Sequence, residues 1–380
     1  MSLRDKLLKS SGVGATPSFY TKFGILENPF PASSQPTGHP HLESDVDDQI
    51  VNAIKQFEAY NHATQVIVVE GTQGVGKTNL LNYYQHELQD YYRDEKGFYI
   101  IRYYPDPEPS FDAIVRKIFQ ELGENHLRQI GEELSERNEA EAERIIGLAR
   151  SSDVRAVLYT LRRVAKEESS ELGQVCEAAL EWFLGLRLYK KHSQLLGVFF
   201  RLDTVESKTQ ALRDIVYVSS ELTLLNGIFL LLDELEKQDY SLSKTTILKY
   251  LSAIRALIDS LPRNLFMMLA LTPSARNRYF LMLPAIAGRL QNIVTLKPLQ
   301  KDDDAVNLYR FYLSHERQRT KNEAVTGETP GSAHLLTEEI VKDLFNRMLV
   351  ESANRGVKGV THRDLLQRLR DEAEAVIANG

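Results

Sequence analysis

Cysteine is almost absent from this 380-residue chain: Cys176 stands alone, which excludes an intramolecular disulfide and any metal site built from several cysteines. Its neighbours follow helical spacing, where a single thiol serves as a small buried hydrophobe, and a reducing interior is the expected setting. Long apolar runs are missing too. No window approaches the roughly 18 to 20 apolar residues of a membrane span. Residues 1–14 carry scattered charges where a secretory leader has an apolar core and a cleavage site. A cytoplasmic protein with no membrane segment is therefore expected. No segment repeats with a period of about 20 to 50 residues, which argues against a solenoid. Positive charge is in deficit: the formal net charge of −6 excludes a surface that wraps nucleic acid on all sides and leaves room for a local basic patch only. What is present is a globular composition, with 43% hydrophobic residues, too apolar for general disorder and sufficient for a sizeable core.

Residues 1 to about 45 are rich in Ser, Pro, Gly and Thr, with the turn-like run Asn28-Pro29-Phe30-Pro31, and read as an irregular arm. An amphipathic helix is predicted near 45–60. Gln65 to Glu70 is a β-branched run closed by Gly71 and reads as a buried strand. A helix follows, with Leu80, Leu81, Tyr84 and Leu88 on one face, and then a second strand from Phe98 to Tyr104, stopped by Pro105 and Pro107. From about 108 to 225 the pattern is helical throughout. That is too long for one crossover helix, so an inserted helical subdomain is expected. Gly227 to Leu232 and Leu265 to Leu271 are unbroken apolar runs, as expected of strands buried on both faces, and a last short strand is predicted from Ile293 to Leu296. Strands separated by helices predict an α/β fold with a parallel sheet. Beyond 300 the pattern is helical again, apart from a turn-rich loop around Thr326 to Ala333.

Two motifs carry the chemistry. Gly71-Thr72-Gln73-Gly74-Val75-Gly76-Lys77-Thr78 fits the P-loop in every specified position, between a predicted strand and a predicted helix. Its glycines let successive backbone N–H groups turn toward phosphate oxygens, and the helix that follows, with Asn79 in its first turn, presents its positive end to the same anion. Lys77 is expected on the β- and γ-phosphates of ATP and the Thr78 hydroxyl on Mg2+. The second motif is Asp233-Glu234 at the end of the apolar run 228–232. Strand C-termini of a parallel sheet open onto the ligand crevice, so both carboxylates are expected to face the phosphate loop. Asp233 would hold the magnesium through water, and Glu234 would orient and polarise the attacking water. Glu236 reads equally as an exposed carboxylate at a helix start or as a supporting group.

The P-loop at 71–78, the acidic pair at 233–234 and the strand ending Leu271-Thr272-Pro273 follow one another as in the AAA+ superfamily, which the chain resembles. The resemblance implies an α/β P-loop core with a parallel sheet flanked by helices, a long helical insertion and a C-terminal helical lid. The expected domains are an arm at 1–45, a nucleotide-binding domain at 46–300 with the insertion at about 108–225, and a lid at 301–380. It also implies that Thr272 is a polar sensor between the γ-phosphate and the attacking water. Ala285 to Leu290 is similar to the box that carries an arginine finger, which makes Arg289 the first choice for that role in a neighbouring subunit, with Arg276 and Arg278 as rivals. Gly359 to Leu366 is similar to the lid segment whose second sensor arginine touches phosphate, here Arg363; a helix start capped by Thr361 explains the same string. Two branches come closest. The opening Phe23-Gly24-Ile25 to Asn28-Pro29-Phe30 resembles the origin-recognition and transposition-regulator ATPases and the related secretion ATPases. Glu181 to Leu186, the long insertion and Leu225 to Glu236 resemble the BREX phage-defence ATP-binding protein family (BrxD-like).

Such relatives imply a homo-oligomer that works on DNA, with helicase, nuclease or transposition proteins as candidate partners. Arg187-Leu188-Tyr189-Lys190-Lys191-His192 and His315 to Lys321 are the basic clusters that could grip phosphates, although each alone reads better as a solvated helix face. The residues after the lid are too few for the winged-helix module of the origin-recognition branch, so DNA contact is expected from the core, the insertion or a partner. The leading expectation is an ATPase that loads or remodels something on DNA, in phage defence or mobile-element control. The alternative is a nucleotide-gated scaffold that recruits partners with little hydrolysis. A small-molecule kinase is disfavoured by the glutamate directly after the magnesium aspartate.

Overall fold

The computed structural model describes residues 22–31, 40–104, 111–236, 242–323 and 334–378. The loop expected around 326–333 and the prolines at 105 and 107 lie outside the described residues. The chain forms two compact units, one of Asp45–Glu70 and Tyr84–Thr295, the other of Met1–Ser44, Gly71–Tyr83 and Leu296–Gly380.

The larger unit is built on a five-stranded parallel sheet of β1 (Gln65–Glu70), β2 (Phe98–Tyr103), β3 (Gly227–Leu232), β4 (Leu265–Leu271) and β5 (Asn292–Thr295), in the order β2-β3-β4-β1-β5. All five expected strands are present; β2 ends one residue earlier than predicted and β5 starts one earlier. The α/β parallel architecture stands. β3 and β4 are buried at every residue, which is why their sequences are unbroken apolar runs and not alternating ones. Strand alternation divides the sheet into two faces. On one, Val66, Val68, Leu230, Leu232, Met267 and Leu269 join a single core with the helices of 111–221. On the other, Phe57 of α1 (Asp45–Ala59) meets Phe229 and Phe266 edge-on, with ring centroids 5.4 and 5.7 Å away.

After α2 (Lys77–Tyr91) and β2, the helical insertion comprises α3 (Phe111–Glu136), α4 (Glu139–Ile146), α5 (Ser152–Lys166), α6 (Leu172–Phe183), α7 (Lys190–Leu196) and α8 (Val205–Glu221). α3 bends where Gly123 takes φ 69°. Side-chain caps mark the starts: Ser151 Oγ accepts from Val154 N, and Thr204 and Ser207 form a reciprocal capping box. Cys176 is fully buried in α6, as its surroundings suggested, and burial pushes its thiol up to about 11, so it is inert at neutral pH.

Buried polar groups interrupt this core, His126 among them. His126 of α3 is 1% exposed and lies between Tyr99 Oη and Ser219 Oγ, each 2.8 Å from a ring nitrogen. Burial pushes its pKa down to about 4 from the ordinary 6.5, so the folded state holds it neutral. A depressed histidine favours folding fully above the unfolded value of 6.5, and that contribution is lost as pH falls toward 4. Between pH 7 and pH 5 this residue alone is expected to remove about 2 kcal/mol of stability. Urea unfolding at the two values checks it, with a shallower loss expected for His126→Gln.

In the same unit α9 (Lys244–Ser260) precedes β4, and α10 (Pro273–Met282) and α11 (Pro284–Ala287) precede β5. The other unit contains α12 (Asp302–Glu323), α13 (Glu338–Asn354) and α14 (His362–Ala378). Residues 22–31 have no regular structure. Yet Phe23, Ile25 and Phe30 are buried in the core of these three helices, with the Phe30 ring stacked 5.8 Å from Tyr309. Arg370 Nη1 donates to Phe30 O at 2.7 Å, Asn28 Nδ2 donates to Arg370 O at 3.3 Å, and Arg317 Nε donates to Phe23 O at 3.0 Å. Arg319 pairs with Glu27 and Glu316. The cluster at 315–321, read from sequence as a candidate phosphate grip, thus has its central arginines committed to holding the arm.

Candidate functional site

The C-terminal edge of the parallel sheet gathers the ends of all its strands. Asp233 directly follows β3, is 1% exposed, and receives the Arg102 guanidinium from neighbouring β2 at 2.7 Å. The pairing is lateral, since Tyr103 and Leu232 are register partners and Asp233 N donates to Tyr103 O. A buried carboxylate needs such a partner, because desolvation otherwise costs several kcal/mol. Arg102 also stacks over Tyr104 at 4.5 Å, and its Nε and Nη1 have no hydrogen-bond partner among the described residues. Little in the sequence singles out this arginine. Its one signal was a cation placed inside an otherwise apolar and aromatic strand.

Glu234 follows with φ +49°, a left-handed conformation that an L residue adopts only at a cost of about 1 kcal/mol or more. Its N–H donates to Asp233 Oδ1 at 2.9 Å. The turn throws Glu234 to the exposed side of a fully buried aspartate, which gives adjacent carboxylates opposite environments. Glu236 accepts the Thr272 N–H at 3.0 Å, so it ties the end of β3 to the end of β4. Thr272 caps α10: its Oγ1 accepts from Ala275 N at 3.3 Å and lies 3.2 Å from Ser274 Oγ. Burial first, then the Glu236 charge, pushes the Tyr279 hydroxyl well above its ordinary range, so it stays protonated.

The candidate arginines differ in commitment. Arg276 binds Glu70, the last residue of β1, at 2.5 Å and is mostly buried. Arg278 has its guanidinium 5.7 Å from the centre of the Tyr279 ring. Arg289 makes a forked pair with Asp259, Nε–Oδ1 2.9 Å and Nη2–Oδ2 3.2 Å, with both side chains more than a third exposed. Pairs that exposed contribute about 0 to 1 kcal/mol, so Arg289 separates from its partner at little cost.

In the other unit, the loop from Gly71 to Thr78 shows why glycine is required at two of its positions. Gly74 has φ +84°, and a Cβ there would sit 3.0 Å from Thr361 Oγ1 and 3.3 Å from Arg363 Cβ. Gly76 has φ +102° with open space around it, so its constraint is conformational. Lys77 Nζ folds over the loop and donates to Gly71 O at 2.7 Å and Thr72 O at 3.2 Å. Lys77 opens α2, so Thr78 and Asn79 lie in its first turn; Asn79 Nδ2 donates to Pro40 O at 2.8 Å. Thr361 caps α14, its Oγ1 accepting from Asp364 N, and the Arg363 N–H donates to Gly74 O at 3.0 Å. The capped-helix reading of this string therefore holds, and the same turn also sets Arg363, exposed, against the loop. Burial brings the neighbouring His362 down to about 4, so no second positive charge stands beside it.

A family profile described as an AAA domain matches residues 60–279, more than half of the chain. The chain belongs to the AAA domain family. An AAA+ P-loop protein binds nucleotide, and the residues at 71–79 fit a triphosphate: two left-handed glycines, a lysine poised over the loop and a helix start behind it. Among solved structures, the chain is similar to the ORC2 protein of Aeropyrum pernix, described in ADPNP–ADP complexes. That likeness has 10% identity and a TM-score of 0.40, and covers 88% of this chain and 69% of that one. No curated protein matches. No helix among the described residues is long and apolar enough to cross a membrane.

Proposed function

We propose that this AAA+ protein is a magnesium-dependent ATPase that acts in the cytoplasm as a homo-oligomer and couples hydrolysis to assembly or remodelling on DNA. The observation that carries the reading is the pair at the end of β3, where a buried Asp233 and an outward-turned Glu234 have separate environments suited to separate tasks. Residues 71–79 hold the triphosphate, with Lys77 on its terminal phosphates. Thr78, and Asp233 through water, would hold magnesium, which would supply charge neutralisation at the transferring phosphoryl group. Glu234 orients and polarises the attacking water. Thr272 aligns that water, and Arg363 reports phosphate occupancy through its main-chain bond to Gly74. Arg289, held by an exposed pair, is the arginine offered to the neighbouring subunit. The resemblance to BREX and to origin-recognition and transposition-regulator ATPases supports phage defence or mobile-element control, with helicase, nuclease or transposition proteins as partners.

Turnover per subunit is expected to rise with protein concentration as the assembly forms, and Arg289→Ala is expected to lower it about 100-fold or more without changing the assembled mass. Hydrolysis rates measured across concentration, with mass determined in parallel and with and without duplex DNA, check this. Concentration-independent turnover by a monomer would contradict the proposal.

A further inference from the structure

The insertion carries a surface that the nucleotide chemistry leaves unused. Two loops flank α7, residues 184–189 before it and 197–204 after it. Arg201 Nε of the second loop donates to Gly185 O of the first at 2.6 Å, and Trp182 Nε1 at the end of α6 donates to Phe200 O at 2.8 Å. The second loop is also anchored by its side chains, since Val198 and Leu202 are buried. On this fixed backbone three rings point outward: Phe199 is 87%, Tyr189 76% and Phe200 75% exposed. Phe199 and Phe200 are the only exposed phenylalanines among the described residues.

The charge around the rings is mostly positive. From Leu186 to Leu202 the chain has Arg187, Lys190, Lys191 and Arg201 and no carboxylate, in a protein of net charge −6; the nearby acids are Asp203 at the end of the second loop and Glu181 of α6, which lies 3.3 Å from the His192 ring. All four cations are exposed, and Arg187, Lys190 and Lys191 make no ion pair with any described residue. An apolar partner accounts for the rings and leaves the cations without a role. An acidic partner does the reverse. A ligand with a repeating anion and a π-face at each unit satisfies both, and that ligand is a single-stranded nucleic acid. A duplex stacks its bases internally and presents no free faces to the rings.

We infer that this surface of the insertion binds single-stranded nucleic acid, with bases stacking on Tyr189, Phe199 and Phe200 and phosphates on Arg187, Lys190, Lys191 and Arg201. The inference gives a location to the nucleic-acid part of the function proposed above and rests on that part.

Anisotropy titration of a labelled 30-mer oligothymidylate against the full chain, at two salt concentrations, tests it. Ala at each ring is expected to weaken binding about tenfold, with the salt dependence kept. Lys190→Glu with Lys191→Glu is expected to flatten the salt dependence instead. These are exposed positions, so the variants should keep the parental unfolding midpoint and ATP uptake. Oligothymidylate binding that ignores both sets overturns the inference, as does a ring variant that changes only the mass of the assembly, which would make the patch a contact between copies. Duplex binding without oligothymidylate binding sinks the inference and leaves DNA coupling standing. If neither form of DNA binds at low salt, both fall.

Discussion

Glu234→Gln is expected to lower ATP turnover by about 10² to 10⁴-fold while leaving nucleotide binding intact. The substitution keeps the shape of the side chain and removes its ability to take or polarise a proton. Its effect on the fold should be small, because the residue lies on the exposed side of the turn while the buried Asp233–Arg102 pair carries the local electrostatics. The left-handed backbone at Glu234 is unchanged by an isosteric replacement, and its N–H still caps Asp233 Oδ1. Steady-state hydrolysis with a parallel binding titration measures both quantities. The same variant separates two modes of action. A motor loses its output with its turnover, whereas a scaffold gated by bound nucleotide retains its partners or holds them longer.

Much of this site was legible in the sequence because its chemistry is local. A P-loop is a contiguous string, and buried parallel strands are unbroken apolar runs, so β1, β3 and β4 and the acids at the end of β3 could be placed by reading along the chain. What was not legible depends on contacts between distant residues. Arg102 meets Asp233 across 131 positions, and nothing near Tyr99 to Tyr104 announces a carboxylate partner. Arg319 binds Glu27 across 292 positions, so the charged run at 315–321 looked free when it is engaged. Glu236, open between two readings, proves to hold the Thr272 N–H through a side chain 36 residues away. Phe199 and Phe200 show the same limit from the other side: residue type places phenylalanine in a core, and only the packed loops show these two outside it.

A carboxylate already matched by a guanidinium is a weaker ligand for a second cation, so in the proposed function Asp233, paired with Arg102, would hold magnesium through water.

The proposed ATPase requires the loop from Gly71 to Thr78 to hold a triphosphate, and Lys77 is the residue that tests it. Its ammonium now bonds two carbonyls of the loop, Gly71 O and Thr72 O, which places it over the curl of backbone where phosphates are to sit. Lys77→Ala removes one positive charge and three donors from the loop. Equilibrium uptake of labelled ATP in magnesium buffer by the parent and by Lys77→Ala is the direct measurement. Saturable uptake by the parent, weakened about 100-fold in the variant, is the predicted result. A parent that takes up no nucleotide, or a variant that binds as well as the parent, would contradict it.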